Sequence, residues 1–213
     1  MATTNKKRAV KGDTYYGKVA ANYQKRREKQ PWWQVEQDEM ERLLDKLPRE
    51  VSVLDVPFGT GRFVPFYLDR NYSISGLEIS EAMIEQAKLE LGEQFESCEV
   101  KVGSSTDMPF EDGAFDLLVS SRFLRDIIVF SDAKKSLAEM ARVTKSYAII
   151  QLGQTTYKRN GKVQEDQAMG SILNATQIDK LLGDYGFEVT ERRLVKSDPL
   201  DHSEIYHILC QKK

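Results

Sequence analysis

Between residues 51 and 210 the chain alternates short apolar runs with helix-patterned stretches, and few architectures accommodate that alternation. Residues 51–56, 72–79, 99–103, 115–120 and 147–152 read as strands, with helical periodicity between them over 63–70, 81–91 and 133–143. Ile178, Leu181, Leu182 and Tyr185 then make an i, i+3, i+4, i+7 face that Gly186 closes. Strands 187–195 and 204–210 flank the stretch "KSDPLDHS". Near-continuous apolar strands separated by helices imply a parallel sheet covered on both faces. A return of so few residues is too short for a parallel crossover, so the last pair must be antiparallel. The expected fold is α/β: a doubly wound seven-stranded sheet with an antiparallel last strand.

Ahead of the sheet, "YYGKVAANYQKRREKQ" reads as a helix or broken helix ended by Pro31, and Met40, Leu43, Leu44 and Leu47 mark a second helix that Pro48 stops. Residues 1–47 are therefore expected to form a basic helical cap or lid, and 48–213 the main domain. The first thirty residues carry nine Lys/Arg against only Asp13 and Glu28, in a chain whose net charge is −2. Such an arm can attract an anionic partner, nucleic acid included. No apolar run approaches the ~20 residues of a membrane span, and the amino terminus lacks a signal-peptide core, so a cytoplasmic setting is expected. Cys98 and Cys210 are far apart and only two histidines occur, which argues for reduced thiols and against a metal site.

The turn "VLDVPFGTGRF" ends the first strand, where ligands of doubly wound sheets gather. It lacks the lysine-containing run of a triphosphate loop. It supplies Gly59 and Gly61 of a dinucleotide turn, but Val64 stands at the third glycine's place. A ligand without phosphates suits it better. Glu78 ends the second strand 19 residues beyond Gly59, near the ~20 at which an acid reaches a ribose diol in related sheets.

With "DVPFGTG", "SISGLEIS" and "GSSTDMPFEDGAFDLLVSS" in order at successive strand ends, the chain resembles the class I S-adenosylmethionine-dependent methyltransferases from about Tyr16 onward. Pro57 stands where the family usually has its first glycine. The resemblance implies S-adenosylmethionine as cofactor. Its contacts would come from Tyr16, Tyr23 and Arg27 in the cap, and from Asp55, Pro57, Gly59 and Gly61 in the turn. Glu78 and Ile79 would follow the second strand. Ser105, Thr106, Asp107 and Met108 would lie near the adenine, and Ser120, Ser121 and Arg122 after the fourth strand.

Within that superfamily, amino methylation of DNA bases or glutamine uses an Asn/Asp-Pro-Pro-Tyr/Phe element, where this chain has "SSRFLRDI". No cysteine follows a proline, as cytosine C5 methylation requires, and no paired glutamates follow the fourth strand. The expected activity is methyl transfer to an oxygen or nitrogen of a small-molecule acceptor. Two alternatives stay open: a nucleic-acid-directed enzyme using the basic arm, and a non-catalytic cofactor-binding regulatory subunit. Trp33, Phe123 and Tyr157 are the expected acceptor contacts. His202, among Asp198, Asp201 and Glu204, is the candidate general base, with Asp126 as the other catalytic candidate.

Overall fold

A computed structural model describes residues 22–157 and 163–213. The strands are β1 (Ser52–Asp55), β2 (Ser73–Glu78), β3 (Cys98–Val102), β4 (Phe115–Ser120), β5 (Thr144–Thr155), β6 (Phe187–Asp198) and β7 (Ser203–Lys212). They form one sheet in the order β3-β2-β1-β4-β5-β7-β6. Pairs from β3 through β5 are parallel, whereas β7 is antiparallel to both β5 and β6. The doubly wound expectation holds, including its antiparallel end.

The helices are α1 (Tyr23–Glu28), α2 (Trp33–Leu44), α3 (Val64–Leu68), α4 (Glu81–Leu91), α5 (Phe130–Val143) and α6 (Ala175–Asp184). Local chemistry explains their ends. Ser80 caps α4 by accepting from the Met83 N–H, and Gly92 closes it at φ +56°. Asn174 and Gln177 form a reciprocal capping box on α6.

Alternation along the central strands explains their apolar character. Leu54, Leu118 and Ile150 face one layer with Leu137 and Met140 of α5 and Ile178 and Leu182 of α6. Val53, Leu117, Val119 and Ile149 face the other, with Val64 and Tyr67 of α3. Met40, Leu43 and Leu44 of α2 belong to that second layer and are fully buried. The helix expected as part of a cap is thus built into the core. Each such side chain contributes about 1.5–3 kcal/mol by leaving water.

The hairpin between β6 and β7 is tighter than its composition suggests. The sequence pattern leaves all eight residues of "KSDPLDHS" between the last two strands, but β6 runs to Asp198 and β7 begins at Ser203, which pairs with both Asp198 and Thr155. Antiparallel ladder bonds carry these polar residues as strand beyond the core, which apolar periodicity does not register. His202 sits in the turn at φ +48°.

Candidate functional site

The chain runs outward from β1 through β2 to β3 and then returns to β4, so β1 and β4 flank the point where strand order reverses. Ligands of such sheets bind outside the carboxyl ends of these strands. A pocket of about 50 Å³ lies there, lined by Asp55, Pro57, Gly59, Thr60 and Arg62 of the turn, by Ser121 and Arg122 after β4, and by Tyr23 and Trp33.

The two turn glycines have different duties. Gly59 has φ +59°, and a Cβ there would meet only Met83 Cε, at 3.9 Å. Its outer side is open for a ligand. Gly61 has φ +69°, and a Cβ would press on Leu91 Cδ1 at 2.5 Å and Phe58 Cζ at 3.0 Å. Gly61 therefore serves packing beneath the turn. Phe58 also covers Gly76 of β2 so closely that a Cβ could not fit.

Glu78 secures the turn to β2. Its carboxylate accepts the Gly59 N–H at 2.9 Å and the Ser80 N–H at 3.0 Å. Burial raises its pKa against those bonds. Asp55 is buried and accepts from the Tyr67 hydroxyl at 3.1 Å. Burial pushes its pKa up to about 8; the Tyr67 bond and Arg62 oppose the rise and Glu78 adds to it.

Glu36 of α2 joins the elements around this pocket. Arg62 donates to it at 2.7 Å, Arg122 Nε donates to both carboxylate oxygens at 2.8 Å, and Gln151 Nε2 donates at 2.6 Å. Burial alone would raise its pKa, but Arg62 and Arg122 reverse this and hold the carboxyl well below the usual range. His207 of β7 reaches the Glu36 carbonyl through Nε2 at 3.2 Å. Burial lowers His207 to about 4, so the ring is neutral near pH 7 and Nε2 is the donor. Arg122 takes a positive φ, +56°, with its N–H donating to Gln151 Oε1 at 3.1 Å.

A second cavity of about 190 Å³ lies beside the pocket and shares Arg122 with it. Arg27, Gln30, Trp32, Arg125, Asp126 and Lys196 are among its lining residues.

Tyr16 and most of the basic arm lie outside the described residues. Tyr23, Asp55, Pro57, Gly59, Ser121 and Arg122 line the pocket, whereas Arg27 lines the larger cavity. Ile79 is exposed beyond Glu78, and Asp107 is exposed beyond β3. Ser105 bonds to Ser136 of α5, Thr106 to Ser104, and the buried Met108 donates its N–H to Glu139. Ser120 is buried.

The acceptor contacts expected from sequence disperse. Trp33 lines the pocket, with Arg62 stacked 4.6 Å from its ring. Phe123 is packed into the core layer of α5 and α6 and lines neither space. Tyr157 is exposed, its ring 5.4 Å from that of His202, and both lie off these linings. Asp126 lines the larger cavity, ion-paired with Arg125.

Sequence reasoning missed Glu36, Arg62, Gln151 and Lys196. Two of them had a signal. Glu36 occupies the apolar stripe of α2, four residues before Met40, and Gln151 interrupts the run "AIIQLG".

A family profile described as a methyltransferase domain matches residues 54–151. The chain is 36% identical to demethylmenaquinone methyltransferase of Renibacterium salmoninarum over 44% of its own length and 36% of that protein's. It is 30% identical to ajmaline N-methyltransferase of Rauvolfia serpentina over 62% of its length and 47% of that protein's. The matches thus span about a third and about half of these two curated relatives. Among solved structures, the cyclase SpnF superposes with a TM-score of 0.68 at 18% identity, covering 84% of this chain and 83% of that one; this likeness speaks to fold alone. The methyltransferase-domain profile over residues 54–151 supports placing the chain with the class I S-adenosylmethionine-dependent methyltransferases. The same likeness supports S-adenosylmethionine as the cofactor.

The turn fits that cofactor's amino-acid portion. Asp55 and Arg62 line one pocket, an acid and a base side by side. Arg62 Nη2 and Ser121 Oγ are buried there with no hydrogen-bond partner among the described residues. Buried donors left unmade are costly, and a ligand carboxylate would satisfy them.

Proposed function

We propose that the protein is a methyltransferase that holds S-adenosylmethionine over Gly59 and methylates an oxygen or nitrogen of a small molecule seated in the larger cavity. The observation that carries this reading is that Asp55 and Arg62, whose Nη2 has no partner among the described residues, line the same pocket at the strand-order reversal. Asp55 would accept the cofactor's ammonium and Arg62 would donate to its carboxylate. Glu78 would receive the ribose hydroxyls, and the exposed side chain of Ile79 would lie against the adenine, with Asp107 at its amino group. When bound, S-adenosylmethionine supplies a methyl group on a sulfonium.

The chain's own work is alignment and exclusion of water. Tyr23 and Trp33 close the pocket from the cap side. Gln24 and Gln30 link the cap to Thr60 and Arg122 at 3.2 and 2.8 Å. Residues 1–47 would thus act as a cap whose second helix is anchored in the core. Of the two candidate bases, Asp126 is the one that lines the acceptor cavity. A cytoplasmic setting accords with two free thiols that burial holds at raised pKa, Cys98 at about 11 and Cys210 at about 12.

Calorimetry with S-adenosylmethionine and S-adenosylhomocysteine, followed by transfer of a labelled methyl group into a metabolite pool, tests the reading. Binding of both and label in a small molecule are expected. Failure of the wild-type protein to bind either one would overturn it.

A further inference from the structure

We infer that the acceptor is a small molecule carrying an oxyanion, either a carboxylate or a phosphate ester, recognised by Arg27 and Lys196. This rests on the methyltransferase reading, because it assigns the second substrate of the same site.

The larger cavity gathers four cations, Arg27 of α1, Arg122 and Arg125 after β4, and Lys196 of β6, against the two carboxylates of Glu36 and Asp126. Neither carboxylate has charge to spare. Glu36 is engaged by Arg62, Arg122 and Gln151, and Asp126 by Arg125. Lys196 has only a long ion pair, to Asp198 at 3.7 Å, and its ammonium lies 4.4 Å from the centre of the Trp32 ring. The Arg27 guanidinium lies 4.9 Å over the Tyr23 ring, with no carboxylate in ion-pair range among the described residues. Aromatic faces hold both cations in place, and a ring, unlike a carboxylate, leaves the cation its charge.

Even with Asp198 counted beside Lys196, the four cations around this cavity of about 190 Å³ outnumber their three carboxylates, which leaves a focused positive potential. A ligand oxyanion would complete Arg27 and Lys196 with charge-assisted hydrogen bonds. A cationic amine would meet repulsion instead. An extended apolar ligand would have to desolvate Gln30, Gln151 and the charged groups, with only Trp32, Ile127 and Ile205 offered in return.

The test is calorimetry on the full chain saturated with S-adenosylhomocysteine, with benzoate, phenyl phosphate, benzamide and benzylamine as probes. Benzoate or phenyl phosphate should bind, and which of the two binds tighter separates carboxylate from phosphate recognition. Lys196→Gln and Arg27→Gln should each weaken that binding about tenfold, with Lys196→Arg restoring it. Benzamide or benzylamine binding as tightly as the anions would overturn the proposal. So would absence of anion binding, or anion binding indifferent to Lys196→Gln. Failure of the methyltransferase reading is seen separately, as no S-adenosylhomocysteine binding before any probe is added.

Discussion

Arg122 Nε donates to both carboxylate oxygens of Glu36 at 2.8 Å, across 86 residues of sequence. This pair ties a helix of the cap region to the segment after β4, and both residues line the larger cavity. Removing the Glu36 charge would strand the guanidinium groups of Arg62 and Arg122 in a buried site. Breaking one side of such a cluster costs about 3–5 kcal/mol. Glu36→Gln should therefore lower stability by that order in urea unfolding, and S-adenosylhomocysteine affinity should fall with it. A variant as stable as the wild type would mean the network contributes little.

Truncation separates the cap's two helices. Deletion of residues 1–30 should leave a folded protein with poor turnover, since Met40, Leu43 and Leu44 remain in the core. Deletion of residues 1–47 removes all three, at about 2–5 kcal/mol each by analogy with truncation of single core side chains. That product should fail to give a cooperative thermal transition. Full activity in the shorter deletion would argue against a lid role for that stretch.

Asp55 makes cofactor binding depend on pH. With its pKa raised to about 8, the unliganded carboxyl is mostly protonated at neutral pH. A bound ammonium favours the carboxylate, so binding releases a proton below about pH 8. Affinity for S-adenosylhomocysteine should rise with pH by up to about tenfold per unit until that value. Calorimetry in buffers of different ionisation enthalpy measures the proton released. Asp55→Asn should abolish the slope.

His207 acts on acid stability. Its folded pKa, about 4, lies below the ordinary 6.5, so its contribution is fully present above pH 6.5 and is lost as pH falls through about 4. The shift is worth about 3 kcal/mol. Asp55 pulls the other way: its contribution is complete below the ordinary 3.8 and is lost as pH rises through about 8. Between pH 6.5 and 4 the two should offset each other in the wild type. His207→Gln should expose the Asp55 trend and gain stability on acidification over that range, as measured by denaturation midpoints.

His202 is exposed in the β6–β7 turn and outside both linings. His202→Gln should keep kcat/KM within about twofold, because surface replacements away from a site usually shift energies by less than about 0.5 kcal/mol. A neutral limb in the wild-type pH–rate profile that vanishes in the variant would instead make His202 the base.

The sheet, its antiparallel end and the place of the glycine turn are legible in the residue pattern alone. These follow from local properties: apolar runs of strand length, helical spacing, and glycine where φ must be positive, as at Gly59 and Gly61. The place of Glu78 at the end of β2 is legible too, because the strand pattern ends there. Which side chains meet is settled by the packed fold. Glu36 with Arg62 and Arg122, His207 with the Glu36 carbonyl, and Lys196 over Trp32 join segments far apart in the chain. The same holds for the losses: Phe123 went to the core and Tyr157 to the surface, although both follow strand ends that face the site. Periodicity reports whether a residue faces apolar surroundings. Which charges share a cavity depends on strand order and helix docking, and these are fixed by packing the whole core at once.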